Sequence, residues 1–271
     1  MTGPIASPQN QLIKTIASLK YKKHRDELGL FAVEGVRSAE ELVASDWQTE
    51  VCLFTEAAAS QARVRSLLTL LAEKHCRTVP VTDAVFNRIT DTEKPQGIML
   101  VARQRRWGLA DLLSPSGGAS PLLVVLDGIQ DPGNVGTVIR TADAAGATGV
   151  LLLKNCADPF SGKTVRSTMG SLFHLPIASD VSRDEFLSAI ALQPVNLAVT
   201  SLEAATPYHQ ADLAGATAVV FGNEGQGVGP ELIAAADCRL IIPLYGRAES
   251  LNVAVAAGVV LYEAARQRSA L

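Results

Sequence analysis

Two hydrophobic patterns divide the chain. In the first hundred residues, short apolar runs alternate with stretches whose apolar residues recur every three or four positions. The runs are LFAV (30–33), EVCLF (50–54) and GIMLVA (97–102), and the periodic stretches are QNQLIKTIASL, VRSAEELVAS and ARVRSLLTLLAEK. The runs predict strands and the periodic stretches predict amphipathic helices, together a small α/β domain. Further on the runs are more uniformly apolar: LLVVL (122–126), GVLLL (149–153), NLAVT (196–200), AVVF (218–221) and RLIIPL (239–244). Runs without alternation fit strands buried on both faces of a parallel sheet, with the helical segments between them covering it. The connecting stretch RRWGLADLLSPSGGASP (105–121) shifts to Ser, Gly and Pro and reads as a linker. The expected organisation is an α/β domain over 1–105, a linker over 106–120 and a doubly wound α/β domain over 121–271.

In doubly wound sheets ligands bind beyond the carboxyl ends of the strands. That rule directs attention to DGIQDPGN, SLEAA, GNEGQG and YGRAESLN, where Gly, Asn, Glu, Arg and Ser collect. The glycines of FGNEGQGVGPEL (221–232) do not follow the dinucleotide spacing G-x-G-x-x-G. From Gly225 the third position falls on Pro230, and from Gly227 on Leu232. A relaxed phosphate loop, ADPFSGKT (157–164), also lies after a strand, and LLVVLD ends in an acid like a magnesium-holding strand. Against it, Pro159 has no N–H to offer a phosphate, and the acidic strand precedes the loop instead of following it.

Two helices flank these loops. In DPGNVGTVIRTADAAGATG, Asn134 suits an N-cap and Gly146 a C′ position. Val135, Val138, Ile139 and Ala142 make the core stripe, and Arg140 lies off it. The bland reading of Arg140 is an exposed side chain pairing with Asp143. The last helix starts at Glu249 or Ser250 and is apolar on nearly every side from Leu251 to Leu261. Such a helix must be buried all round, which favours an isologous dimer interface over burial within one chain. Arg247, Ser250 and Asn252 stand at its polar mouth.

Composition adds limits. Of the 271 residues 48% are hydrophobic and 5% aromatic, normal for a soluble α/β protein, and no apolar stretch reaches the ~18 residues of a membrane span. The start, MTGPIASPQNQ, shows no targeting segment, so a cytoplasmic location is expected. Cys52, Cys76, Cys156 and Cys238 form no C-x-x-C pair and read as reduced thiols, and the scattered histidines (24, 75, 174, 209) draw no metal site. The net charge of −3 hides an asymmetry. Residues 1–107 hold 15 Lys+Arg against 12 Asp+Glu, and residues 108–271 hold 9 against 15. Within 11–25, Lys14, Lys20, Lys22, Lys23 and Arg25 stand with no acid. This basic arm is either a solvated helix face or a phosphate-contacting surface.

Three blocks in order carry a resemblance: NVGTVIRTADAAG (134–146), FGNEGQG (221–227) and IPLYGRAESLNVAVA (242–256). Together they resemble the SpoU/TrmH branch of the SPOUT RNA methyltransferases, over residues 121–268. Residues 5–105, opening SPQNQLIKTIASLKYKKHRDELGLFAVEG, resemble that family's substrate-binding domain, related to ribosomal proteins that grip bent RNA. The resemblance implies a trefoil knot in the C-terminal domain, S-adenosylmethionine as cofactor and a homodimer through that domain. It also implies transfer of a methyl group to a ribose 2′-hydroxyl in structured RNA, large-subunit ribosomal RNA ahead of transfer RNA. On this reading the glycines let backbone approach a nucleoside closely.

Carried over by motif, Asn134, Arg140, Glu224, Ser250 and Asn252 form the catalytic set. Gly222, Ile242, Leu251 and Thr200 contact the cofactor, and Lys20, Lys22, Lys23, Arg25 and Arg37 contact RNA; no metal is implied. An arginine is effectively never deprotonated, so Arg140 is expected to clamp a phosphate and steady the alkoxide, with Glu224 orienting it. Ser250 and Asn252 would orient the hydroxyl, and the proton acceptor is left open.

Overall fold

The computed structural model describes residues 3–114 and 120–269. By contacts the chain forms two compact units: residues up to Arg105 with Phe160–Phe173, and Arg106–Pro159 with the residues from His174 onward.

The first unit runs α1 (Gln11–Ser18), α2 (Lys22–Leu28), β1 (Leu30–Glu34), α3 (Val36–Ala44), β2 (Thr49–Phe54), α4 (Glu56–Ala59), α5 (Ala62–Glu73), β3 (Arg77–Pro80), α6 (Asp83–Ile89) and β4 (Ile98–Arg103). Its sheet has the order β1-β4-β2-β3, with β4 antiparallel to both neighbours and β2 parallel to β3. Alternation along the strands builds two cores, since successive side chains point to opposite faces. Val51, Leu53, Met99 and Val101 join Ile13, Ile16, Val85 and Phe86 of the helices on one face.

The second unit contains α7 (Leu109–Leu113), β5 (Leu122–Asp127), α8 (Pro132–Ala144), β6 (Gly149–Leu153), β7 (Ile177–Val181), α10 (Arg183–Ile190), β8 (Asn196–Thr200), β9 (Thr206–Pro207), β10 (Thr217–Gly222), α11 (Pro230–Ala235), β11 (Cys238–Ile241) and α12 (Val253–Ser269). The number α9 is kept for Gly162–Thr168, which follows β6 in the chain. The strands pair in parallel in the order β7-β6-β5-β10-β8-β11-β9. Every residue of β5 and β6 is buried, as their unbroken apolar runs predict. One face packs Leu123, Val125, Leu151 and Val220 against Phe186, Ile190 and Leu232, while α8 and α12 pack together in the same unit. The far end of α12 is pinned by Arg268. Its guanidinium donates to the carbonyls of Ser120 (2.8 Å), Pro121 (2.8 Å), Leu213 (3.1 Å) and Gly215, and burial lowers its pKa. Among the described residues no helix is long and apolar enough to cross a membrane.

Three local expectations change. The span read as a linker contains α7, whose Leu112 and Leu113 are buried in the second unit's core; residues 115–119 lie outside the described residues. The segment Phe160–Phe173, with α9, packs with the first unit. Phe160 lies 4.9 Å from Phe31 and Phe173 lies 5.4 Å from Trp47, ring centre to ring centre, so the phosphate-loop alternative ends in a core aromatic. The four cysteines are free, and burial pushes the Cys156 thiol up to about 11 and raises Cys52 further.

The third change concerns the basic arm. Lys20 pairs with Asp91 (2.8 Å), Lys22 with Asp26 (2.9 Å) and Lys23 with Glu27 (3.8 Å), all partly or fully exposed. Arg37 is exposed on α3. Arg25 is not an RNA-facing cation. It is 4% exposed, and its Nη1 donates to the carbonyls of Leu19 (2.7 Å) and Lys20 (2.9 Å), where the chain leaves α1. A buried guanidinium bonded this way fastens α2 to α1. Arg25→Ala is therefore expected to lower the unfolding free energy by about 1–3 kcal/mol, because it leaves buried carbonyls without donors. Chemical denaturation measures this.

Candidate active site

The carboxyl ends of β8, β10 and β11 open into a cleft of about 420 Å³. Thr200 ends β8, Gly222 ends β10, and Ile242 follows β11; Ser250 and Leu251 close the wall just before α12. All four residues assigned to the cofactor thus line one cavity. The run RLIIPL, read as a strand throughout, leaves the sheet after Ile241, and its second half lines the cleft through Ile242 and Leu244. Thr200 Oγ1 donates to the carbonyl of Val220 (2.9 Å), holding the ends of β8 and β10 together.

The glycine-rich loop is a closed turn. Asn223 and Gly227 exchange backbone hydrogen bonds (3.0 and 2.9 Å), and Asn223 Oδ1 accepts from the amides of Gly225 (2.9 Å) and Gln226 (3.1 Å). This fold-back explains two glycines differently from the expected approach to a nucleoside. A Cβ on Gly222 would lie 2.3 Å from Gly227 C and from Val228 N, and Gly227 has φ +69°. Their small size serves the loop's own closure.

The loop is tied to β5 at both ends. Asn223 Nδ2 donates to the Gly128 carbonyl (2.8 Å), and the Gly229 amide donates to Asp127 Oδ2 (2.8 Å). Asp127 is 2% exposed and takes a two-pronged grip from Arg183 (3.0 and 3.1 Å), which holds the guanidinium's pKa up. The acid that ends LLVVLD is therefore a structural anchor. Asn223, Asp127 and Arg183 were not singled out as site residues. Their only sequence signal is position, Asn223 inside a strand-end loop and Asp127 at the end of an apolar strand.

Catalytic candidates meet around Asn134. The N-cap of α8 is Asp131, which accepts from the Asn134 amide (2.9 Å), so Asn134 sits inside the first turn with its side chain free for other work. Asn134 Nδ2 donates to Glu224 Oε1 (2.5 Å), and Asn252 Nδ2 donates to Asn134 Oδ1 (3.1 Å). Asn252 itself caps α12 through Oδ1, accepting from Ala254 (2.9 Å) and Val255 (3.4 Å), so the helix starts at Val253 and not at Glu249 or Ser250 as expected. Gly146 follows the C-cap at φ +74°, and Val135, Val138, Ile139 and Ala142 are fully buried, as the periodicity predicts.

Arg140 is exposed, and among the described residues it makes no hydrogen bond or ion pair. The expected orientation by Glu224 is not formed, since Glu224 is held by Asn134. The bland pairing with Asp143 is not formed either, since Asp143 bonds His174 Nδ1 (2.8 Å). Among the described residues no cluster of His, Cys, Asp and Glu could hold a metal ion.

Residues 121–262 match the SpoU rRNA Methylase family model, and residues 10–100 match the MRM3-like substrate binding domain. The chain is 35% identical over 258 residues to the Bacillus subtilis 23S rRNA (guanosine(2553)-2′-O)-methyltransferase RlmP, covering 95% of this chain and 97% of that one. The AdoMet-bound rRNA methyltransferase from Sinorhizobium meliloti superposes with a TM-score of 0.86 at 34% identity, over 97% of both chains. The SpoU methyltransferase AviRb from Streptomyces viridochromogenes, in complex with AdoMet, gives 0.86 at 28% identity over 97% of this chain and 100% of its own.

The closed turn yields a direct test. Gly222→Ala forces backbone apart at the turn, an overpacking cost of about 1–3 kcal/mol. Hydrogen exchange should show the Asn223 and Gly227 amides losing protection while the amides of β5 keep theirs.

Proposed function

Because the chain belongs to the SpoU rRNA methylase family, we propose that it methylates a ribose 2′-hydroxyl of large-subunit ribosomal RNA, with S-adenosylmethionine as donor. The observation that carries this reading is one place in the second unit. There the cleft holding Thr200, Gly222, Ile242 and Leu251 shares Glu224 with the Asn252–Asn134 chain. The cleft's size is within the ~300–1,000 Å³ of small-molecule sites, and Leu240, Ile242 and Leu251 give it an apolar wall beside backbone polar groups, a fit for an adenine nucleoside. When bound, S-adenosylmethionine supplies a sulfonium methyl group to an oxygen nucleophile. The chain's own task is to hold the acceptor hydroxyl in line and manage its proton.

Ser250 lines the cleft and is exposed, placed to orient the hydroxyl, while Asn252 acts through Asn134. Arg140, exposed and without a partner among the described residues, takes a phosphate beside the acceptor. Residues 1–105 form the RNA-binding domain, with Lys20, Lys22, Lys23 and Arg37 toward the phosphates, and 121–271 the catalytic domain. A ribosomal RNA substrate supports a cytoplasmic site of action. The trefoil knot implied by the family is supported by the parallel order in which β10 lies between β5 and β8, and by the shared fold of the solved relatives. A homodimer is supported by one apolar strip of α12 and its approach: Leu251, Val255 and Tyr262 are 36, 54 and 56% exposed.

Three measurements test the reading. RNA from a strain lacking the protein should lose a single 2′-O-methyl group from 23S RNA, restored by purified protein with S-adenosylmethionine. A methyl group lost from transfer RNA instead would move the substrate. Arg140→Ala should keep its fold and cofactor affinity but lose about 10² in single-turnover methyl transfer, as when the acceptor is held out of line. Lysine at 140 should rescue poorly, because a point charge cannot reproduce the two-pronged grip. Val255→Arg should halve the mass seen by sedimentation if α12 forms the dimer, since it buries an unpaired charge there.

A further inference from the structure

Two amides at the cleft are oriented by their own hydrogen bonds, and the chain they form has a direction. Asn252 accepts the amides of Ala254 and Val255 at the start of α12, a role that only its side-chain oxygen can fill. Its Nδ2 must then face outward, where it donates to Asn134 Oδ1. With that oxygen taken, Asn134 presents Nδ2 to Glu224 and donates to Oε1. Each amide is fixed by the one before it, starting from the helix terminus. Glu224 receives that donor at the end of the chain, on one of its two oxygens.

The second oxygen, Oε2, makes no hydrogen bond among the described residues. Glu224 and Glu203 are the ionisable side chains among the described residues lining the cleft, and only Glu224 is joined to Asn134. We propose that Glu224 is the proton acceptor of the reaction: Oε2 takes the proton of the ribose 2′-hydroxyl while Oε1 is held by Asn134. The assignment rests on the methyltransferase reading above and replaces the orienting role toward Arg140 that the sequence suggests.

The chemistry is compatible with so weak a base. A free ribose hydroxyl does not give its proton to a carboxylate. Its oxygen becomes strongly acidic as the bond to carbon forms, because a protonated ether is a strong acid, so a carboxylate suffices when the proton leaves late. The oxygen's lone pair makes the new O–C bond, the C–S pair stays on sulfur as a neutral thioether, and the O–H pair stays on oxygen. The positive charge lost from the sulfonium leaves with the proton, which neutralises Glu224 and passes to water. Asn134 keeps the carboxylate in place, and no alkoxide accumulates for Arg140 to steady.

Glu224→Gln tests this. Glutamine keeps an oxygen for Asn134 to donate to but cannot take a proton. In the folded variant, calorimetric affinity for S-adenosylmethionine and the Asn134 side-chain amide resonances should stay as in the parent protein, showing the chain intact. Single-turnover methyl transfer to 23S RNA should fall by about 10²–10⁴, the range for losing a general base. Glu224→Asp, which keeps the carboxylate, should retain more activity than Gln. Combining Glu224→Gln with Arg140→Ala separates base from orienter. Independent roles multiply the two losses, whereas a Glu224 that serves only to hold Arg140 costs nothing more once Arg140 is gone. That second outcome, or a Gln variant transferring at close to the parent rate, overturns the assignment. A parent protein inert toward RNA, yet binding S-adenosylmethionine, would instead overturn the substrate reading, and the assignment with it.

Discussion

The site depends on a turn that closes on itself at the end of β10. Asn223 uses its whole side chain for this: its oxygen collects the amides of Gly225 and Gln226, and its nitrogen reaches the Gly128 carbonyl. Six residues on, the Gly229 amide ends on the buried carboxylate of Asp127. Both ends of the loop are therefore fastened to adjacent residues where β5 ends. Burying Asp127 is tolerable because Arg183 and an amide share its charge; an unpaired carboxylate there would be strongly destabilising. With its flanks fixed, the loop has little freedom, and Glu224 is presented next to Asn134 rather than left to search.

Much of this was legible in the sequence wherever one physical rule dominates. Unbroken apolar runs mark strands buried on both faces, and β5, β6, β8 and β10 fall on four of them. The strand-end rule then picks out the loops that line the cleft. Residues carried over by motif, such as Thr200, Gly222 and Ile242, line one cleft although they come from separate strand ends. Their convergence is a property of the parallel sheet, which brings every carboxyl end to one edge.

The sequence was silent where a tertiary partner outweighs local preference. Asn134 reads as a cap in isolation; Pro132 at the first helical position leaves that role to Asp131, and only the fold shows Asn134 bonded to Glu224, ninety residues away in the chain. Arg25 looks like one more cation in a basic stretch until the carbonyls of Leu19 and Lys20 claim it. ADPFSGKT has the outline of a relaxed nucleotide loop that Pro159 spoils, and what Phe160 is for shows only in the fold, where it packs against Phe31. Composition marks 105–121 as flexible, yet two leucines suffice to draw Leu109–Leu113 into a core. Gly222 reads equally well as making room for a ligand or for its own loop, and only the position of Gly227 decides.

Polar groups around the cleft fall into two classes. Those that build it are satisfied: Asp127, Asn223, Thr200 Oγ1, Asn252 and Asn134 all have partners. Ser250 and Glu224 Oε2 have none among the described residues, nor has Arg140 on α8, and all three residues are exposed. Water serves them at no cost while the surface is open. A partner that covers them must replace that water, and an apolar one would leave a cation, a hydroxyl and a carboxylate buried without bonds, at several kcal/mol or more. A sugar–phosphate backbone meets all three demands, with its phosphate for the guanidinium and its hydroxyl between serine and carboxylate. Selection for such a partner thus resides in the groups the fold leaves unsatisfied, and the satisfied ones keep them in position.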